Sequence, residues 1–317
     1  MTVIGVDLGG TNLRVGRVED GAIVRGARWA LGEARTVDAV VTQIAARVAE
    51  VAPPGDAPVP VGVGVAAMLG DRRGTVVNAP NLGWRDVGFG AALASALGPR
   101  HPLGVYNDVN AIAWGEFAAG AGRGSRDALV VFVGTGIGGG VIASGALVEG
   151  ATNCAGELGH LKVVMGPGAA RCGCGAVGCV EAYVGGAALL ARIRRELAAG
   201  ASPAVVAAAG GVDAAHPGHV DALADDDPWA RALWDQCGGY LALAIGNAAN
   251  VLNPDRVVLG GGVLGRTPRL RARMLAALPA VAPAAILGPL TVVDAALGDD
   301  AGLIGAALLA GAGVSVL

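Results

Sequence analysis

Lysine is almost missing from this chain of 317 residues: of its 23 basic side chains, one is Lys162 and the other 22 are arginine. That scarcity excludes a G-x4-G-K-[ST] phosphate loop, because the one lysine follows His160-Leu161 and not a glycine turn. Positive charge is short overall, and a formal net charge of -3 leaves no basic stripe of the kind a nucleic-acid surface needs. No nucleic-acid partner is expected. No leader peptide precedes the strand-like TVIGV, so a cytoplasmic location is expected, where disulfides are rare. Uncharged residues 128–148 would be long enough to span a bilayer, for which about 20 residues suffice. Six of them are glycine, mostly within GTGIGGG, and the flanks are β-branched, so they read as buried strands around a turn and no membrane segment is expected.

What the chain does have is concentrated in residues 156–181, GELGHLKVVMGPGAARCGCGAVGCVE. Cys172, Cys174 and Cys179 follow a C-x-C-x4-C spacing, with His160 upstream. Three thiolates and an imidazole make a closed tetrahedral zinc site of the structural class. Gly173, Gly175 and Gly178 suit a chain folding tightly round a metal, where positive φ is needed. The alternatives are a redox pair, for which Cys172 and Cys174 are too close in sequence, and three buried thiols without a role. Cys154 and Cys237 read as small buried hydrophobes. Glu157 and Glu181 flank the ligands, and two carboxylates with a neutral imidazole suit a polyhydroxylated ligand.

Two glycine hairpins come next in weight. Residues 2–7 form a strand, Leu8-Gly9-Gly10-Thr11 a tight turn, and 12–18 a second strand. Asp7 at the mouth, the Gly9-Gly10 pair, Thr11 and Asn12 then make a nest of N–H groups for phosphate, or an ordinary hairpin turn. The pattern recurs in LVVFVGTGIGGGVI, with Gly134, Thr135, Gly136 and Gly138, as a duplicated nucleotide-binding fold would show. Between the hairpins lie a helix at 36–51, a strand at 61–65 and a loop at 76–84, VVNAPNLGW, which alone is a Pro-Asn turn. A strand at 104–106 ends in Asn107-Asp108-Val109-Asn110, and a helix follows at 111–119. Asp108 is either a helix cap or the carboxylate base of a kinase at a strand end, with Asn110 as the local cap. Helices are expected at 187–199, 229–252 and 298–310, a connector with solvated His216 and His219 at 200–217, and a strand at 256–259 leading into Gly260-Gly261-Gly262.

GELGH followed by CGCGxxGCxEAY resembles the signature of the ROK family of sugar kinases and regulators, most closely its bacterial glucokinases. The resemblance implies an α/β actin-like ATPase (ribonuclease H-like) two-lobe fold with ATP in an interlobe cleft. The small lobe would comprise 1–109 and a C-terminal helix at about 301–317, the large lobe 110–300. It implies that zinc, on His160, Cys172, Cys174 and Cys179, is structural, while Glu157, His160 and Glu181 grip sugar hydroxyls. The first hairpin would meet the β- and γ-phosphates and, through Asp7, Mg²⁺; the second would meet the phosphates from the other lobe, and LGGGV the adenosine. APNLGW matches the sugar-facing loop, with Asn81 on a hydroxyl, and NDVNA the catalytic segment, with Asp108 as base and Asn107 on the sugar. Two positions depart from the pattern: Val184-Gly185-Gly186 follows EAY where a serine is common, and Ala66-Ala67-Met68-Leu69-Gly70 replaces a loop that often carries proline and glycine.

The activity implied is ATP- and Mg²⁺-dependent phosphorylation of the 6-hydroxyl of a hexose, glucose first. Fructose, mannose, N-acetylglucosamine and N-acetylmannosamine are the alternative acceptors, polyphosphate the alternative donor, and a homo-oligomer, dimer or tetramer, the expected assembly. A Rossmann dehydrogenase is the rival, since residues 134–139 and 260–265 both satisfy GxGxxG. The first match is followed by VIASGALVEG, a β-hairpin where the motif demands a helix, and the second is expected to lack a βαβ unit. A sugar-responsive repressor would carry a helix-turn-helix ahead of the first strand, and a sensor without catalysis would have lost Asp108 or DLGGT, both of which are intact.

Overall fold

A computed structural model describes residues 1–33 and 35–314. The chain divides into two compact units, the first made of residues 1–128, 140–156 and 295 onward, the second of 129–139 and 157–294. The strands are β1 (Thr2–Leu8), β2 (Asn12–Glu19), β3 (Ala22–Ala30), β4 (Val61–Val65), β5 (Met68–Leu69), β6 (Val76–Ala79), β7 (Trp84–Val87), β8 (Leu103–Asn107), β9 (Ala128–Val133), β10 (Ile137–Ala143), β11 (Ala146–Leu147), β12 (Arg256–Gly260) and β13 (Thr291–Asp294). The helices are α1 (Val37–Val51), α2 (Phe89–Leu97), α3 (Asp108–Ala118), α4 (Glu181–Val184), α5 (Gly186–Ala198), α6 (Pro203–Ala209), α7 (Pro217–Leu223), α8 (Pro228–Leu252), α9 (Pro268–Ala277), α10 (Ala284–Leu287) and α11 (Ala301–Gly311).

In the first unit a sheet runs β3-β2-β1-β4-β8. β1 is antiparallel to β2 and parallel to β4, which is parallel to β8. β4, VGVGV, is buried at every position, as a parallel strand covered on both faces must be. α1 and α2 bring Val40, Ile44, Val48, Phe89 and Leu93 to one core. α1 is amphipathic and starts where the Thr36 hydroxyl accepts from the Ala39 N–H at 3.3 Å.

α11, AGLIGAALLAG, is apolar all round and buried nearly all round. It can lie backbone to backbone on its neighbours because they are glycine where they meet: a Cβ on Gly5 would strike the Leu303 carbonyl, one on Gly62 the Ala306 carbonyl, and one on Gly305 the Ala111 carbonyl of α3. The C-terminal helix expected at 301–317 thus ends at Gly311, and residues 315–317 of that range lie outside the described residues.

The loop expected at 76–84 is instead two antiparallel strands, β6 and β7, joined to β5 in a three-stranded sheet. Val76, Ala79 and Trp84 are buried there, so hydrophobic contact overrides the turn signal of Pro80-Asn81 and confines the turn to four residues.

The second unit carries β9, β12 and β13, in a sheet ordered β11-β10-β9-β12-β13. α8 starts at an Asp227 cap followed by Pro228 and ends on Asn253 in the left-handed region, at φ 45°. The connector expected at 200–217 holds a helix, α6, capped by the buried Ser202 hydroxyl and anchored by buried Val205. His216 and His219 are not idle: they form a capping box at the start of α7 and stack at 3.8 Å. β12 and β13 are parallel with α9 and α10 between them, so a βαβ crossover does follow Gly260–Gly262, contrary to expectation. Its helix begins only at Pro268, and directly after the turn comes a 3₁₀ turn, Leu264–Arg266, which is not the Rossmann arrangement.

Candidate sugar and phosphate site with a cysteine–histidine cluster

On the first unit the register sets the geometry. Asp7 of β1 pairs with Gly64 of β4, and Gly64 with Tyr106 of β8, one residue before Asn107. Strands lie about 4.8 Å apart, so Asp7 and the end of β8 stand roughly 10 Å apart at the carboxyl ends of parallel strands, where open α/β sheets receive ligands. The hairpin turn after β1 closes with the Gly9 N–H donating to the Asn12 carbonyl at 3.0 Å. Gly10 sits against Asn81, for a Cβ there would come to 2.7 Å of the Asn81 Cβ. The first glycine turn and the APNLGW turn are therefore packed together.

Asp7 is largely desolvated, and burial pushes its carboxyl above the ordinary value of 3.8; Arg14 and Arg28 on the neighbouring strands pull it back, and Asp299 adds to the rise. Arg14 itself is held by the Asp299 carbonyl and the Asp300 carboxylate.

Asn107, not Asn110, caps α3: its Oδ1 accepts from the Val109 and Asn110 N–H groups at 2.9 and 3.2 Å, and its Nδ2 donates to the Ala67 carbonyl at 3.1 Å. Asn110 is buried. Asp108 is the first residue of α3, half-buried, with its place fixed by that cap.

On the second unit the Cys/His segment folds as its spacing anticipates. The ligand atoms of His160, Cys172, Cys174 and Cys179 all lie within 4.8 Å of one another. Cys172 Sγ is 3.8 Å from His160 Nδ1, and Cys174 Sγ is 3.8 Å from Cys179 Sγ. Metal–sulfur bonds of about 2.3 Å at tetrahedral angles give edges of about 3.8 Å, so the donor set fits such an ion. With Nδ1 turned to the cluster, His160 directs Nε2 towards Glu157, 3.7 Å away. Gly175 and Gly178 have φ of 90° and 78°, while Gly173 has neither a positive φ nor a close neighbour.

Burial pushes the Cys172 thiol up to about 12, whereas the Ala176 N–H aimed at Cys174 lowers that thiol. Lys162 Nζ stands 2.8 Å from Cys179 Sγ. A divalent ion with three thiolates and a neutral imidazole would carry one negative charge, which that lysine balances. The sequence hid this residue's part, because Cys179 lies 17 positions away and an isolated antiparallel bridge brings the two together.

Glu181 opens α4 and reaches the second glycine turn, where its Oε2 accepts from the Ile137 N–H at 2.8 Å. Tyr183, next but one, accepts from the Ala170 N–H and packs on Tyr240 of α8, tying the segment to the helical layer. Val184, where a serine is common, is fully buried. The third glycine motif folds onto the same place: Gly260 lies under the Phe132 ring, Gly261 has φ 92°, and the Val263 N–H donates to the Val133 carbonyl at 2.9 Å. Gly262 is open. Gly134–Ile137, Gly260–Val263, Glu181 and the cysteine–histidine cluster are thus neighbours in one unit, and Asp7, Gly9–Asn12, Asn81, Asn107 and Asp108 share the other.

The model of the ROK family matches residues 3–312. A glucokinase from Streptomyces coelicolor is 33% identical over 313 residues, 97% of this chain and 96% of that protein. A kanosamine kinase from Amycolatopsis mediterranei is 30% identical over 97% of this chain and 95% of its own length. Among solved structures, a ROK family glucokinase from Streptomyces griseus in complex with glucose and AMPPNP superposes with a TM-score of 0.79 at 33% identity, covering 98% of this chain and 100% of that one. The fold is the actin-like ATPase two-domain fold expected from the sequence.

Proposed function

The chain belongs to the ROK family, and on that premise we propose that it transfers the γ-phosphoryl group of ATP to the 6-hydroxyl of a hexose, with glucose the preferred acceptor. The observation that carries this reading is the register of the first sheet, which sets a glycine turn with Asp7 and the capped Asp108 at the carboxyl ends of β1 and β8.

Asp108 is assigned as the base. Asp108 takes the hydroxyl proton as the new O–P bond forms and the bond from phosphorus to the β-phosphate bridging oxygen breaks. Asn81 and Asn107 of the first unit and Glu157, His160 and Glu181 of the second are assigned to the sugar hydroxyls. The amides of residues 9–12, with the Thr11 hydroxyl, and those of 134–138 are assigned to phosphates, and Gly260–Gly262 to the adenosine side. Mg²⁺, approached through Asp7, would supply charge neutralisation on the transferred group. Zinc on His160, Cys172, Cys174 and Cys179 would fix the fold of its segment and so the aim of Glu157 and His160. A homo-oligomer, dimer or tetramer, in the cytoplasm completes the reading; among the described residues no helix is long and apolar enough to cross a membrane.

ADP release from Mg-ATP should be measured over glucose, mannose, fructose, N-acetylglucosamine and N-acetylmannosamine, with polyphosphate as a second donor. Turnover led by glucose is expected; a flat response to every sugar with either donor sinks the kinase reading. Kanosamine belongs in the panel, since a relative that acts on it is as close in length and nearly so in identity as the glucokinases. Asp108→Ala should lower kcat by about 10²–10⁴-fold while sugar affinity, read by calorimetry, stays near wild type.

A further inference from the structure

The turn Gly134–Ile137 is bonded to the start of α5, which follows the cysteine segment in the chain. Gly186 N–H donates to the Gly134 carbonyl and Ala187 N–H to the Thr135 carbonyl, each at 2.9 Å. Gly159, inside GELGH, lies so close to Ile137 that a Cβ would strike the Ile137 carbonyl. Chain on either side of the four donors therefore abuts one turn. Between the two stretches, residues 160–180 form no α-helix or strand but are tied by two isolated bridges and by backbone bonds such as Val163 N–H to the Gly178 carbonyl and Val180 N–H to the Leu161 carbonyl, each at 2.9 Å; a bound ion would add four side-chain links to these.

Glu181 connects the two. One carboxylate oxygen accepts from the Ile137 N–H at 2.8 Å, and the other lies 3.6 Å from Cys172 Sγ. The fit is close: a Cβ at position 136 would strike Oε2, so a larger residue there would push the carboxylate aside. An N–H that already donates to a protein carboxylate is no longer available to a phosphate oxygen, so Glu181 takes the Ile137 N–H out of the set that could meet a phosphate. We propose that Glu181 is a positioning residue, a strut that carries the occupancy of the cysteine–histidine cluster to the second glycine turn. This goes beyond a sugar contact for Glu181 and rests on the metal and nucleotide assignments above. Loss of the metal would then loosen the turn and weaken nucleotide binding with no sugar present.

The experiment is amide hydrogen exchange over residues 133–140 in the full chain, zinc-loaded and after chelation, and in Glu181→Ala and Glu181→Gln with zinc content measured in each. ADP affinity without sugar is read alongside. Chelation and Glu181→Ala should each speed exchange at Ile137 and weaken ADP by about 10-fold. In Glu181→Ala, chelation should add little to what the substitution has already done. Glu181→Gln, whose amide oxygen can still accept from Ile137, should stay within about 3-fold of wild type when loaded.

If zinc removal leaves exchange at 133–140 unchanged in the wild-type chain, the strut is refuted, and that arm does not depend on any variant folding. Glu181→Ala that weakens sugar binding alone, with exchange and ADP affinity intact, refutes it too. A wild-type chain that binds no ADP while its turn still answers to the metal removes the nucleotide reading and leaves the strut standing.

Discussion

Asp7 pays for its place at the strand end with an elevated pKa, and the sign of its effect on stability follows from that elevation. Because the native carboxyl holds its proton to higher pH than the unfolded one, the native state binds more protons in the window above 3.8. Stability therefore falls as pH rises through that window and stays lower beyond it. Asp7→Asn, which imitates the protonated form, should raise the melting temperature of the ligand-free chain at pH 8, and the gain should shrink as pH is lowered towards 4. The same variant should lose Mg-dependent turnover; a lower melting temperature at pH 8 would show that the carboxylate is stabilised by its arginines and not strained by burial. At this scale the gathering of the three cysteines with His160 was legible, because their spacing and glycines point to one tight fold. The partner of Lys162 was not, since it depends on a bridge between distant residues.

Helix α3 shows what an element adds to its residues. Near its far end the buried carboxylate of Glu116 accepts from the N–H groups of Ala121, Ala296 and Leu297 at 2.9, 3.0 and 2.8 Å, so it fastens α3 to the segment that leads into α11. Glu116→Ala would remove the buried acceptor that these three N–H groups share and should cost about 3 kcal/mol, read as a lower midpoint in urea. Glu116→Gln should recover part of the loss, because its oxygen can still accept. None of this could be read in the sequence, where Glu116 is one more polar residue in an unremarkable helix. Long periodic or punctuated elements were legible: α1 from its apolar spacing and Thr36, α8 from Asp227-Pro228 and Asn253. The short ones were missed where local signals pointed the other way, as at β6 and β7 around Pro80-Asn81, where alanine gives no pattern, as at α6, or where four residues are too few to show a period, as at β13.

Across the whole molecule the family and its two-domain fold were legible because several short motifs recur in the order that fold requires. The juxtaposition of the proposed site residues of the first unit was not legible, since registers such as Asp7 with Gly64 are made by tertiary pairing. The chain passes from one unit to the other after residues 128, 139, 156 and 294. A chain ended after residue 294 should accordingly keep its metal stoichiometry, since every donor lies in the second unit, while β1, β4 and β8 lose protection against amide exchange. Persistent protection in those strands would mean that the sheet is stable without α11.

That helix is apolar on every side and seats against glycines of β1 and β4, strands far ahead of it in the chain. On the ribosome those strands must therefore wait, without the helix that covers them, until α11 has been made. A chaperone that shields the nascent sheet over that interval would have a long shift.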